Sequence, residues 1–358
     1  MISFYPGPSK TDENLDKYLS EAASSGILSC NHRSPSFMKL MKDCIKVIKQ
    51  KLEIPSNYEV FFTSSATECW EITGQSFSKK SFLHIYNGAF GEKWFSYNSK
   101  INNAVEGLAY PIHRSISLHQ LDRSGAKQKD VICLTSCETS NTTKVHQKTI
   151  RKVKNRYPNS LLFIDATSSM SGVSIDWISG DIWYASVQKC FGLPPGLAVM
   201  VCSPKAIDQA DKNDFHYNSL KSIYQNTQKF QTTHTPNTLG IYLLYKSLSN
   251  KLGIKAEHEK IRKRMKNLIK QLKLLGYDFV VPTKKVQSET VIGIKCKAEL
   301  LPIIKEKAKE KGITLGNGYG KWKLNSFRIA NFPAHSDSDF EKLLIFLKSE
   351  DFNKKREN

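Results

Sequence analysis

The sequence predicts an α/β fold: a large domain on a mostly parallel sheet, then a smaller α+β domain. Three observations predict it. From about residue 58 to 205, short apolar runs alternate with helical or turn segments, the pattern of strands joined by crossovers. Several of these runs are apolar on both faces, as strands covered on both sides must be. Beyond residue 250 the pattern changes to long helices mixed with fewer strand-like runs.

The elements follow in order. Strand-like runs occupy Glu59–Thr63, Ser81–Tyr86, Val131–Thr135, Leu161–Asp165, Asp181–Val187 and Leu197–Cys202. A long helical stretch covers roughly 238–275, with Gly253 breaking its pattern. Strand-like Phe279–Val281 and Thr290–Ile294 come next, then a helix over Ala298–Lys311, a strand at Ser326–Ala330 and a final helix over Asp337–Lys348. The residues from about Phe352 read as frayed. The expected division is a large domain of residues 13–249 and a small domain of residues 1–12 and 250–358.

The chain has 358 residues, 40% of them hydrophobic and 24% charged. That excludes global disorder, a collagen-like fibre and a disulfide scaffold. The N-terminal residues have no basic stretch followed by an apolar one, so they do not read as a signal peptide. Of the eight cysteines, Cys44, Cys69, Cys133 and Cys202 lie in apolar runs and read as buried thiols. Together these features suggest a reducing, cytoplasmic location.

The net charge of +20 raises a nucleic-acid reading. The densest basic run, Lys251–Lys273, holds nine basic and two acidic residues but no aromatic residue on which bases could stack. Its apolar positions step at helical spacing, so it reads as an amphipathic helix with a solvated basic face. No helix-turn-helix, zinc-finger or RNP pattern occurs. A basic nucleic-acid-binding protein is the distant alternative.

Three segments could carry chemistry. Thr63-Ser64-Ser65-Ala66-Thr67-Glu68 leaves a strand and opens a helix, with Ser65 and Glu68 at capping-box spacing. Small residues at a helix N-terminus can bring backbone N–H groups to a phosphate. Asp165 ends an apolar strand, which in a parallel sheet puts it at the carboxyl edge where ligands bind. Lys189 ends another, ahead of the Gly/Pro loop Gly192-Leu193-Pro194-Pro195-Gly196. Partial desolvation there would lower its pKa and free the amine for Schiff-base chemistry. Gly316-Asn317-Gly318-Tyr319-Gly320 lacks dinucleotide-loop spacing and reads as a flexible turn. The histidines show no metal-ligand spacing, and no metal is expected.

In this order the segments resemble pyridoxal-phosphate (PLP) enzymes of fold type I, the aspartate aminotransferase-like fold. More narrowly they resemble the class V aminotransferases, and most of all the phosphoserine aminotransferases. The resemblance runs nearly end to end, through Tyr5-Pro6-Gly7-Pro8, Asn31-His32-Arg33-Ser34-Pro35-Ser36-Phe37, Asn87-Gly88-Ala89-Phe90-Gly91-Glu92-Lys93-Trp94, Glu138-Thr139-Ser140, Gln188-Lys189, His234-Thr235-Pro236 and Phe327-Arg328-Ile329-Ala330-Asn331.

The resemblance implies a role for each matching position. Lys189 is the Schiff-base lysine and the general acid and base. Asp165 keeps the pyridine nitrogen protonated. Phe90 stacks on the ring, and Thr139 bonds its hydroxyl side. Ser65, Ala66, Thr67 and Gln188 hold the phosphate. His234 and Thr235 reach into a neighbouring subunit's phosphate cup, which implies a homodimer. Arg328 grips the substrate carboxylate, and His32 and Arg33, lent by the partner subunit, bind a substrate phosphate. The implied reaction converts phosphoserine and 2-oxoglutarate to 3-phosphooxypyruvate and glutamate, in serine biosynthesis. The alternative is a serine– or alanine–glyoxylate (or pyruvate) aminotransferase, which the Pro194-Pro195-Gly196 loop resembles more closely. A cysteine desulfurase-like lyase would need a loop cysteine that residues 297–328 lack.

Overall fold

A computed structural model describes residues 1–349 except 213 and 215. The expected fraying from Phe352 and the last residues of the expected small domain therefore lie outside the described residues. Thirteen strands are described: β1 (Ile2–Phe4), β2 (Glu59–Thr63), β3 (Phe82–Tyr86), β4 (Val105–Ala109), β5 (Val131–Thr135), β6 (Cys137–Glu138), β7 (Thr143–Lys144), β8 (Leu161–Asp165), β9 (Ile182–Ser186), β10 (Ala198–Cys202), β11 (Val291–Lys295), β12 (Ile313–Asn317) and β13 (Ser326–Ala330).

Seven of them form one sheet in the order β2-β10-β9-β8-β5-β3-β4. It is parallel except for β10, which runs antiparallel to both neighbours. The period of two explains why β5, β8, β9 and β10 are apolar throughout. Ile132, Leu134, Leu162, Ile164, Trp183 and Val199 face one layer, with Phe37, Met41, Cys44 and Ile48 of the helix Pro35–Leu52. Cys133, Phe163, Ile182, Tyr184 and Met200 face the other, with Cys69, Trp70 and Ile72 of the helix Ala66–Ser76. Each fully buried large apolar side chain contributes about 1.5–3 kcal/mol, so both helical layers are strongly held.

The second sheet has the order β1-β12-β13-β11. Its first strand comes from the chain's N-terminal residues and pairs in parallel with β12, Ile2 opposite Ile313 and Phe4 opposite Leu315. It packs its own apolar cluster, including Phe4, Leu268, Leu272, Ile294, Ile304, Phe327 and Leu343. Short hairpin β6-β7 stands apart.

Most expected strands agree to within a residue or two. The long helical stretch does break at Gly253, into Thr238–Asn250 and Ile254–Leu274. Phe279–Val281 is not a strand; Phe279 alone bridges Ile294. Five strands escape the periodicity: β1, which is three residues long, the edge strand β4, the two-residue strands β6 and β7, and β12. The 316–320 segment is not simply a flexible turn, because Gly316 and Asn317 belong to β12. A Cβ on Gly316 would sit 2.5 Å from Pro6 Cδ, so this glycine serves close backbone approach. The basic helix also departs from a wholly solvated basic face. Arg264 is buried and donates to Asn331 Oδ1 (2.5 Å) and to the Phe332 carbonyl (2.9 Å).

The four cysteines read as buried are buried, and Cys137 and Cys190 join them; all eight are free thiols. Among the described residues no helix is long and apolar enough to cross a membrane.

Candidate active site

The carboxyl ends of β5, β8 and β9 open onto one cavity of about 340 Å³, which is closed from the other side by Arg328 of β13 and by Tyr319, two residues beyond β12. Lys189 lies three residues beyond β9 and is buried. Its Nζ donates to Thr139 Oγ1 and Ser168 Oγ, each at 3.0 Å, and stands 5.2 Å from the centre of the Phe90 ring. Thr139 and Ser168 also bond each other through their hydroxyls. Burial pushes the Lys189 pKa below its ordinary value, against the pull of Asp165. The amine is thereby biased toward the neutral, nucleophilic form. The loop after β1 presses on this lysine. A Cβ on Gly7 would lie 2.9 Å from Lys189 Cε, and Gly7 has φ +140°, so only glycine fits there.

Asp165 is the last residue of β8, paired in register with Tyr184 of β9. Its Oδ1 accepts from the Thr167 backbone N–H at 2.9 Å. Burial raises its pKa, while bonding to Thr167 and the charge of Lys189 oppose that rise.

Beside it, the helix Ala66–Ser76 points its N-terminus at the cavity. Ser65 caps it by accepting from Glu68 N at 3.1 Å, and Glu68 bonds back to Ser64 N. The expected box therefore forms, closed one residue earlier than its usual return bond. The Ser65 side chain is committed to the cap and is not part of the cavity lining, whereas Ala66, Thr67 and Gln188 line it. Ala66 N donates to Ser186 Oγ at 2.8 Å.

Phe90 begins the helix Ala89–Ile101 and is held by a buried carboxylate. Glu138 Oε2 accepts from Phe90 N (3.2 Å) and Gly91 N (3.1 Å); Oε1 accepts from Ser140 N (3.0 Å) and Ser140 Oγ (2.6 Å). Burial lifts the Glu138 pKa, and these donors pull it back. Gly88 makes room, since a Cβ there would fall 2.3 Å from Glu138 Cγ.

Arg328, on β13, is buried. Its Nε donates to the Asn317 carbonyl (2.6 Å) and Nη1 to the Thr139 carbonyl (2.7 Å). Two backbone oxygens thus hold the guanidinium at the cavity wall and leave it without a carboxylate partner among the described residues.

Lys189, Asp165, Ala66, Thr67, Phe90, Thr139, Gln188 and Arg328 are therefore brought together. The remaining expected residues are elsewhere. Arg33 is exposed and His32 half-buried; Arg33 N donates to Asn31 Oδ1 at 2.7 Å in the turn before the helix Pro35–Leu52. His234 and Thr235 are exposed, with His234 beside Thr233 Oγ1 (3.2 Å) and the Tyr217 ring. None of these four lines the cavity.

Sequence reasoning missed Ser168 and Ser186, which meet the site only through tertiary contact. It also missed Tyr319, whose glycine-rich surroundings resemble a turn, and the position of Glu138 under Phe90.

A family model described as aminotransferase class-V matches residues 6–319. A phosphoserine aminotransferase of Rhodococcus opacus is 27% identical over 359 residues, covering 94% of this chain and 91% of the relative. A solved phosphoserine aminotransferase from Cytophaga hutchinsonii superposes with TM-score 0.86 at 29% identity, over 98% of both chains. An alanine–glyoxylate aminotransferase from Nostoc superposes with TM-score 0.83 at 17% identity, over 97% of this chain and 94% of that one. The sheet architecture is that of the pyridoxal-phosphate-dependent transferases of fold type I. Because the family model spans most of the chain and includes the strand-end lysine and aspartate, the protein belongs to the class-V aminotransferases and is an enzyme of that kind.

Proposed function

We propose that the protein is a pyridoxal-phosphate-dependent phosphoserine:2-oxoglutarate aminotransferase of serine biosynthesis, working as a cytoplasmic homodimer. The observation that carries the reading is that Lys189 and Asp165, at or just beyond strand ends of the large sheet, and Arg328, in the middle of β13, converge on one cavity. In support of a phosphorylated substrate stand the His32-Arg33 pair and the relatives named as phosphoserine aminotransferases. In support of the division into residues 13–249 and residues 1–12 with 250 onward stand the separate apolar clusters of the two sheets.

The cavity suits the cofactor. Thr135 Oγ1 and Gln188 Oε1 are buried beside it without a hydrogen-bond partner among the described residues, which is costly unless a ligand supplies one. The donor set also matches the group's parts: a carboxylate for a protonated ring nitrogen, an aromatic face for the ring, and a helix N-terminus for a phosphate. Asp165 would hold the ring nitrogen, Phe90 and Thr139 the ring, and Ala66, Thr67 and Gln188 the phosphate, with Ser65 capping the helix that carries Ala66 and Thr67. His234 and Thr235 would come from the second subunit. When bound, pyridoxal phosphate supplies an electron sink for the substrate's α-carbon.

The chain's own groups do the rest. Lys189 Nζ, its pKa lowered by burial, takes the proton from the amino donor's α-carbon and later returns one to the acceptor's. Thr139 and Ser168 hold that amine in place. Arg328 grips the α-carboxylate through a planar fork that lysine cannot reproduce. His32 and Arg33 of a second subunit would bind the donor's phosphate.

The test is a half-reaction. Cofactor-loaded protein is mixed separately with phosphoserine, serine and alanine, and the loss of its visible absorbance band is followed. Bleaching by phosphoserine alone is expected. Bleaching by serine or alanine with phosphoserine inert would assign the enzyme to the glyoxylate branch. A colourless protein that binds generic nucleic acid in a salt-sensitive manner would overturn the cofactor reading.

A further inference from the structure

Lys93 lines the same cavity as Arg328, yet no motif reading gave it a role. It sits one turn into the helix Ala89–Ile101, on the side facing the second sheet. Its Nζ bonds Tyr319 OH at 3.0 Å and lies 5.7 Å from the Tyr319 ring centre and 6.0 Å from that of Phe90. Arg328 approaches the same tyrosine ring, its guanidinium carbon 5.6 Å from the centre. Tyr319 therefore contacts two cations, with the Phe90 ring beside it at 5.4 Å.

Neither cation has a carboxylate ion-pair partner among the described residues. Lys93 has a phenol, and Arg328 has two carbonyl oxygens. Two cations lining one cavity with no direct ion-pair partner among the described residues make a receptor for two negative groups. Arg328 is fixed by backbone bonds, while Lys93 is an exposed side chain steadied by Tyr319, so the second contact can adjust to anions of different size.

We infer that Lys93, with the Tyr319 hydroxyl, is a specificity-determining residue that binds the distal anionic group of the substrate, a side-chain carboxylate or phosphate, while Arg328 takes the α-carboxylate. The inference rests on the proposed reading in that Arg328 receives the α-carboxylate. It places a distal-anion contact within the same subunit, in addition to any lent by a partner. It also suits both halves of a reaction in which phosphoserine and glutamate take turns in one site, since each carries a second anion.

The test measures binding first. The cofactor-loaded wild-type protein is titrated calorimetrically with glutarate, which has two carboxylates, and with pentanoate, which has one on a chain of equal length. Glutarate should bind more tightly. In Lys93→Met the glutarate Kd should rise roughly tenfold or more, the loss of one charge-assisted bond, with pentanoate shifting far less. Lys93→Arg should restore most of the difference, and Tyr319→Phe should lose part of it. Equal shifts for both ligands in Lys93→Met, or no shift for either, would overturn the inference. A parallel half-reaction series with phosphoserine separates the two claims. Wild-type protein inert to phosphoserine but selective for glutarate would sink the proposed donor and leave Lys93 in its role. Turnover of phosphoserine with no change in the glutarate-to-pentanoate ratio would do the reverse.

Discussion

The cavity around Lys189 and the turn carrying His32 and Arg33 differ in how far one chain has built them. Around Lys189 the charged groups are braced: two hydroxyls on the amine, a backbone N–H on Asp165, two carbonyls on Arg328. Arg33 has an exposed side chain and an ordinary turn contact through its backbone. His234 and Thr235 are exposed as well. On the proposed reading the difference teaches that the bond-making apparatus is intrachain, whereas the groups expected to reach across to a phosphate of the substrate or of the cofactor lie outside their own chain's cavity. On the proposed reading a second copy supplies what they face.

The largest effect that could break this contrast belongs to Lys189. Lys189→Ala should lower transamination by roughly 10³-fold, within the span of lost acid–base catalysis, and borohydride should no longer fix the cofactor to the protein. A variant that kept its fixed label would move the amine's role to another residue.

Arg33→Ala comes next and sharpens the comparison. Its stability should change by no more than about 0.5 kcal/mol, as for an exposed side chain. The KM for phosphoserine should rise roughly tenfold or more from one lost charge-assisted contact, with serine hardly affected. Co-expressing Lys189→Ala with Arg33→Ala then asks where the arginine acts. Mixed dimers regain one unimpaired site, so turnover at low phosphoserine should recover. No recovery would confine Arg33 to its own chain's site.

A third effect, on stability alone, concerns the two walls of the cavity. His84, packed edge-on against Trp94 behind the Phe90 helix, is pushed down to about 3 by burial. His335, stacked on Phe4 of β1, is pushed down to about 4 for the same reason. A free histidine titrates near 6.5. Between these values the unfolded chain binds protons that the native chain does not. Stability is therefore lost as pH falls from about 6.5 towards 4, by about 1.4 kcal/mol per unit for each histidine in mid-window. Urea midpoints at several pH values should show this slope, and His84→Gln should flatten it whatever its stability at pH 7. An unchanged slope would remove His84 as a source.

What could be read from the residues was what one segment decides alone. A lone charge ending an apolar strand marked Asp165 and Lys189, and the Ser65–Glu68 spacing marked the cap between β2 and its helix. What could not be read depends on distant segments meeting. Gly316 looks like a turn residue until Pro6 is found against it, and that misreading hid both β12 and Tyr319. Ser168 and Glu138 carry no local signal, because the first matters only through Lys189 and the second only through the amides of Phe90 and Gly91. The edge strand β4 was lost because its Val-Glu-Gly-Leu-Ala sequence has little of the apolar run that a covered strand shows.

The pairing of β1 with β12 sets a timetable for synthesis. Gly7, which presses on Lys189, is made before it, but the strand that anchors the segment of Gly7 begins only at Ile313. Lys189 and Asp165 emerge in between, with one wall of their cavity still unmade. A nascent chain can thus fold much of its large sheet early and yet cannot enclose Lys189 until β12 has been translated.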